Sequence, residues 1–111
     1  MSESNVIRIN LNTLERLMTD ILTGIGVPVE DAAICADVLL AADHRGIDSH
    51  GINRLKPIYY DRIRAGILNP LTEIETVREG PATAVMDGHN GMGMVVARRA
   101  MTAAIEKARQ F

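Results

Sequence analysis

The stretch NTLERLMTDILTGIGVPVEDAAICADVLLAAD, residues 12–43, decides the fold of this chain. Its first half places leucine, isoleucine and methionine at spacings of three and four, which is the periodicity of an amphipathic helix. This spacing predicts a helix over 12–25 with Asn12 as its N-cap. Pro28 separates it from a second predicted helix over 29–43, whose many alanines indicate close contact with other helices.

Weaker signals surround these two helices. Alternation of apolar and polar residues predicts a short strand over 6–11. Pro57 suits the first position of a third helix, because an N–H group is not needed there. The remaining predicted elements are that helix over 57–65, strands over 73–79 and 82–87, and a last helix over 92–110. The sequence therefore predicts a mainly helical α+β fold of about four helices and a few short strands.

Composition excludes several classes of protein. The net charge of −2 and the pI near 5.9 give no general attraction for nucleic acid. No apolar run reaches the ~18 residues of a membrane span, and the first residues lack the pattern of a secretion signal. The single cysteine, Cys35, allows no intrachain disulfide and no zinc site built on several cysteines. We therefore expect a cytoplasmic protein that binds neither nucleic acid nor membrane.

One polar cluster stands out, HRGIDSHGINR at residues 44–54. Ser49 and His50 are adjacent, and a histidine exchanges protons near neutral pH. Arg54 follows at a spacing of four, and a guanidinium binds a carboxylate with two parallel hydrogen bonds. These residue types suit a 2-hydroxy or 2-oxo acid, with His50 and Ser49 as catalytic candidates and Arg54 as the substrate-binding candidate. Spacing alone favours a plainer alternative, a helix-capping loop with Ser49 as N-cap.

Two further segments favour structural roles. His44 and the arginine after it suit the negative end of a helix. The turn GHNGMG, residues 88–93, has the glycine spacing G-x-x-G-x-G, unlike the G-x-G-x-x-G of dinucleotide-binding folds. We interpret this turn, which includes His89, as a tight helix entry. The scattered methionines are interpreted as core residues, so no metal site is expected.

The segment ADHRGIDSHGINRL, residues 42–55, resembles the malate/L-lactate dehydrogenase type 2 family. GVPVEDA before it and the pattern Y-x-x-R-I-x-x-G-x-x-N-P over 59–70 after it strengthen the resemblance. The resemblance implies a larger, non-Rossmann fold that uses NAD or NADP, of which residues 1–111 match the N-terminal third. It also implies a homodimer or higher homo-oligomer. It places Ser49 and His50 at the substrate and cofactor site and Arg54 against the substrate.

Two functional hypotheses follow from the sequence. In the first, the chain is the N-terminal part of an NAD(P)-dependent oxidoreductase acting on a small 2-hydroxy acid such as malate or lactate. The family places further catalytic and cofactor-binding residues later in the chain, so this hypothesis predicts that residues 1–111 are inactive alone. In the second, the chain is a non-catalytic helical interaction module.

Overall fold

The computed structural model describes residues 5–111 of the chain. Four α-helices and two short strands confirm the predicted mainly helical α+β class. The bounds of these elements are α1 Leu11–Gly24, α2 Val29–His44, α3 Asp61–Arg64, β1 Glu75–Glu79, β2 Ala84–Asp87 and α4 Gly93–Gln110. Two 3₁₀ turns, Asp48–His50 and Ile52–Arg54, and a π-helical segment, Leu55–Tyr60, join α2 to α3. No helix formed by residues 5–111 is long and apolar enough to span a bilayer.

The core lies mainly between α1 and α2. The apolar stripe of α1 buries Leu14, Met18 and Leu22, as its spacing requires. The small residues of α2 let the two helices approach closely, and Cys35 is fully buried among them. Burial, together with the nearby Asp31 carboxylate, raises the pKa of the Cys35 thiol to about 12. Cys35 is therefore a packing residue whose thiol stays protonated at neutral pH.

Helix α4 packs on α2 through a small apolar contact and two ion pairs. Met92 and Val95, at its start, are fully buried. The molecule as a whole is elongated, with extents of 54 × 31 × 22 Å and a radius of gyration of 16.1 Å. A compact domain of this length has a radius of gyration of about 13 Å. Much of the chain therefore lies outside one compact core.

The hairpin of β1 and β2 is the most exposed part of the fold. Its antiparallel register pairs Glu75 with Asp87, with an irregularity between Thr76 and Arg78. Every residue of β1 is exposed. The hairpin is tied to α4 by Lys107, whose Nζ donates to the Glu79 carboxylate at 2.8 Å and to a backbone carbonyl of the turn at 3.0 Å.

The N-terminal predictions need correction. Residues 6–10 form no strand, because no other strand among residues 5–111 lies beside them to complete a ladder. The N-cap of α1 is Asn10 rather than Asn12. The side chain of Asn10 accepts from the backbone N–H groups of Asn12 and Thr13, at 2.8 and 3.4 Å. Asn12 is thus inside the helix, at a position whose free N–H needs a cap.

The helix predicted over 57–65 also differs. Helical turns begin at Asp48, and the regular α-helix covers only Asp61–Arg64. Pro57 is the third residue of the π-helical segment rather than the first residue of a helix. Proline is tolerated there because the first N–H groups of any helix have no partner within it.

The two ion pairs between α2 and α4 provide a matched stability test. Arg99 bonds to Asp31 and Arg98 to Asp37, both at 2.9 Å, and both arginines are 47% exposed. The carboxylates differ, since Asp31 is 6% exposed and Asp37 67%. Arg99→Met should cost about 1–3 kcal/mol, because a buried carboxylate loses its partner. Arg98→Met should cost less than about 1 kcal/mol. Urea unfolding of both variants measures the difference, and equal losses would contradict this packing of α4 on α2.

Candidate active site

The three site residues predicted from the sequence lie together after α2. The two 3₁₀ turns bring Ser49, His50 and Arg54 onto one short stretch of chain. Ser49 Oγ lies 2.8 Å from His50 Nδ1, and His50 Nε2 lies 3.2 Å from Arg54 Nη2. Arg54 Nε also donates to the backbone carbonyl of Ser49 at 2.9 Å. A hydroxyl, an imidazole and a guanidinium therefore form one continuous hydrogen-bonded chain.

This geometry differs from the helix-capping loop that spacing alone favours. Ser49 is the second residue of its 3₁₀ turn, and the residue before that turn makes no side-chain cap. Its hydroxyl contacts the His50 ring instead. Ser49 and His50 are exposed and Arg54 is half-buried, so the polar chain is open to a ligand. Tyr59 lies nearby. Burial holds the pKa of its hydroxyl above the usual value, although the positive charges of Arg54 and Arg62 act in the opposite direction.

Sequence reasoning missed Asp43, the residue that supports this loop. Asp43 Oδ2 accepts the backbone N–H of Ile52 at 2.9 Å, between the two 3₁₀ turns. Gly51 is buried against the same carboxylate, and a Cβ at Gly51 would overlap the Asp43 side chain. One signal was present in the sequence. A carboxylate in the last turn of a helix opposes the helix dipole and therefore suggests another role.

The other polar residues of the segment have local structural contacts. His44 lies in the last turn of α2, as predicted for a helix-end residue. Asp48 begins the first 3₁₀ turn, and its carbonyl accepts from the side-chain amide of Asn53 at 3.3 Å. Neither His44 nor Asp48 takes part in the chain of hydrogen bonds from Ser49 to Arg54.

Packing explains two glycines of the turn over 88–93. A Cβ at Gly88 would lie 2.7 Å from the Val96 side chain, and one at Gly91 would lie 2.8 Å from that of Thr72. These glycines let the turn pack on its own neighbours, which agrees with a structural interpretation. His89 and Asn90 have positive φ angles of 50° and 59°. The Asp87 carboxylate supports that conformation by accepting the His89 N–H at 2.9 Å.

One group of possible metal ligands was not predicted from the sequence. Glu75, Asp87 and His89 each offer a ligand atom, and these atoms all lie within 4.8 Å of one another. The His89 ring contacts both carboxylates, at 3.3 Å from Glu75 and 3.8 Å from Asp87. All three side chains are exposed and interact with each other across the base of the hairpin.

Comparison with known proteins matches this chain to one family. The family model for malate/L-lactate dehydrogenase matches residues 9–111. Malate dehydrogenase of Pyrococcus abyssi is 47% identical over 108 residues, which are 97% of this chain and 30% of that protein. The NAD(+) ureidoglycolate dehydrogenase of Escherichia coli is 38% identical over 103 residues, 93% of this chain and 29% of that protein. The structure of malate dehydrogenase from Pyrococcus horikoshii superposes with a TM-score of 0.95 at 44% identity, covering 99% of this chain and 31% of that one.

By their printed names these relatives are dehydrogenases, which are oxidoreductases. The chain belongs to the malate/L-lactate dehydrogenase family. It spans about 30% of the length of these relatives.

Proposed function

We propose that this chain supplies the substrate-binding and proton-exchanging residues of an NAD(P)-dependent oxidoreductase that acts on small 2-hydroxy acids such as malate or lactate. The observation that carries the proposal is the hydrogen-bonded chain of Ser49, His50 and Arg54, exposed at the surface. The relatives of this protein act, by their names, on malate and ureidoglycolate. The shared chemistry of these substrates is a hydroxyl beside a carboxylate.

The residues present have separate roles toward such a substrate. Arg54 binds the carboxylate with two N–H groups, for which the planar guanidinium is shaped. His50 takes the proton of the hydroxyl as the alcohol becomes a carbonyl, and Ser49 holds the His50 ring in place. NAD or NADP, when bound, would supply the acceptor for the hydride that leaves the alcohol carbon. In the reverse direction His50 returns the proton to the oxygen.

The cofactor's two ends fit this chain differently. Ser49 and His50 offer a hydroxyl and an imidazole, which are polar groups that would hold the nicotinamide end. The turn over 88–93 does not provide a binding site for the diphosphate of the cofactor. Its glycines Gly88 and Gly91 are packed against Val96 and Thr72. The proposal therefore assigns Ser49 and His50 to the nicotinamide end and assigns the rest of the dinucleotide to no residue among 5–111.

We also propose an oligomeric state and a cellular compartment for the protein. Exposed apolar side chains away from both ends of the described chain, including Val29 at 69% and Ile67 at 67%, support association into a homodimer or higher homo-oligomer. The single cysteine is free and buried, which is consistent with a reducing cytoplasm.

A hybrid enzyme tests the proposal directly. Residues 9–111 of this chain replace the matching segment of the Pyrococcus horikoshii malate dehydrogenase, which the superposition supports. We expect the hybrid to reduce NAD or NADP with malate, lactate or a related 2-hydroxy acid, and the isolated chain to be inactive. Circular dichroism and gel filtration confirm that the hybrid is folded. A folded hybrid that oxidises none of these acids contradicts the proposed function.

Arg54→Lys in the hybrid tests the role of Arg54. Lysine keeps the charge but loses the two-pronged geometry, so we expect the substrate KM to rise about 10–100-fold, equivalent to a loss of about 1–3 kcal/mol. The KM for the cofactor should change much less. Steady-state kinetics with each ligand varied in turn gives both values. An unchanged substrate KM would remove Arg54 from the site.

A second candidate function is a non-catalytic interaction module, and one observation favours it. Val6, Ile7, Ile9 and Leu11 are all exposed, and they line an open groove of about 560 Å³. Such a surface suits association with another protein surface. The hybrid distinguishes the two functions, because a non-catalytic module would not support the reduction of NAD or NADP.

A further inference from the structure

The contacts of His50 determine which ring nitrogen carries its hydrogen. Nε2 lies 3.2 Å from Arg54 Nη2, and a guanidinium donates hydrogen bonds but cannot accept them. Nε2 must therefore accept. Both the imidazolium and the Nε2–H tautomer would direct an N–H at another N–H. Only the neutral ring with its hydrogen on Nδ1 fits, and that hydrogen then points to Ser49 Oγ at 2.8 Å.

We propose that Arg54 and Ser49 hold His50 as the neutral Nδ1–H tautomer, and that an incoming carboxylate frees His50 Nε2 by taking the Arg54 guanidinium. Nε2 is then the basic atom of the site, and Arg54 covers it in the absence of an anion. Ser49 is the positioning residue in this arrangement. The carboxylate as ligand rests on the proposed function, whereas the tautomer rests only on the contacts within the chain.

The anchoring of Arg54 explains how this exchange occurs. Arg54 Nε donates to the Ser49 carbonyl at 2.9 Å, so the base of the guanidinium is held while its Nη2 end contacts the ring. A carboxylate forms stronger hydrogen bonds to a guanidinium than a neutral imidazole does, because both partners are charged. The ligand therefore displaces Nε2 from Nη2. The Ser49 contact remains, so the lone pair of Nε2 faces the ligand whose hydroxyl proton it takes.

Nitrogen-15 NMR of the 111-residue chain tests the resting state. Two-bond correlation spectra of a histidine-labelled sample, in mildly alkaline buffer where imidazole is neutral, show directly which ring nitrogen carries hydrogen. Comparison with His50→Gln assigns the signals. We expect His50 to be mainly the Nδ1–H form, although free histidine in water favours the Nε2–H form. A predominantly Nε2–H ring at His50 would overturn the proposal.

Substitutions at Arg54 and at Ser49 distinguish the effects of their two contacts on the tautomer of His50. Arg54→Met should shift the tautomer ratio toward Nε2–H by about tenfold or more, the factor expected for a hydrogen bond from a charged donor. Ser49→Ala should shift it in the same direction but less. Arg64→Met, at an exposed arginine of α3, is the matched control and should leave the ratio unchanged. Backbone amide shifts show whether each variant keeps its fold. An unchanged ratio in both site variants would overturn the role given to these contacts.

L-malate tests the release step. We expect its addition to shift the His50 Nε2 signal, because the neutral hydroxyl of L-malate replaces the charged guanidinium as its donor, while the Nδ1 hydrogen stays, and sodium chloride at equal ionic strength to have no such effect. An Nε2 signal that L-malate leaves unchanged would overturn the release step. An inactive hybrid would count against the proposed function but would not change the tautomer of the free chain, so the two failures are distinguishable.

Discussion

His50→Ala in the hybrid enzyme should lower the turnover number by about 10²–10⁴-fold, the range for loss of a positioned acid–base group. The reason is that alanine leaves no atom to take the hydroxyl proton where the Arg54-bound substrate presents it. His44→Ala and His89→Ala should change turnover much less. His44 lies at the end of α2, and the ring of His89 contacts hairpin carboxylates. Steady-state kinetics of the three variants measures the contrast.

Two results would change this assignment. Equal losses in the His44, His50 and His89 variants would indicate a general effect on folding and would remove His50 from its role. A raised KM with turnover within a few-fold of the parent would make His50 a binding residue. In that case the proton would be exchanged by a residue outside this chain, and Ser49 and His50 would only hold the substrate or cofactor.

Gly51→Ala should destabilise the chain by about 1–3 kcal/mol, the usual cost of forcing an extra methyl group into a packed site. The new Cβ would overlap the Asp43 carboxylate, which holds the N–H of Ile52. Either the carboxylate or the 3₁₀ turns must move, so the loop that carries His50 loses its support. Urea unfolding gives the stability, and the amide signal of Ile52 reports the lost hydrogen bond.

Two controls isolate this overlap. Gly24→Ala adds the same methyl group where no atom lies within 4 Å, so it should be neutral or slightly stabilising. Asp43→Ala removes the carboxylate that the new Cβ would meet. The Gly51→Ala and Asp43→Ala changes should therefore be less costly together than the sum of their separate effects. Strict additivity would show that Gly51 is not buried against Asp43.

The periodic segments were predictable because their side chains bury one face. The apolar spacing of α1 and the alanines of α2 indicated both helices, and the structure pairs them with Met18, Leu22 and Cys35 inside. The segment 6–11 was predicted wrongly as a strand. Alternation describes which side chains could face a sheet, but a strand also needs a neighbouring backbone to bond with.

The residues of the candidate site could be singled out from the sequence, whereas their mutual geometry could not. The types and spacing of Ser49, His50 and Arg54 indicated acid–base and carboxylate chemistry. Local sequence did not show that 3₁₀ turns would direct the guanidinium onto the imidazole, because that depends on how Asp43 anchors the loop. Asp43 itself was missed, since its partner is a backbone N–H nine residues away and no side-chain pattern records such a bond.

The reactivity of the Cys35 thiol measures how often the core of the chain opens. It is the single cysteine and lies fully buried in the core on α2, with burial raising the pKa of its thiol to about 12. A thiol reagent reaches it only when the core around it opens, because the buried thiol is neither accessible nor ionised. The rate of alkylation, measured by mass spectrometry in native buffer, therefore gives the frequency of that opening. Comparing this rate in the isolated chain and the hybrid shows how far the remaining polypeptide restrains opening of this core.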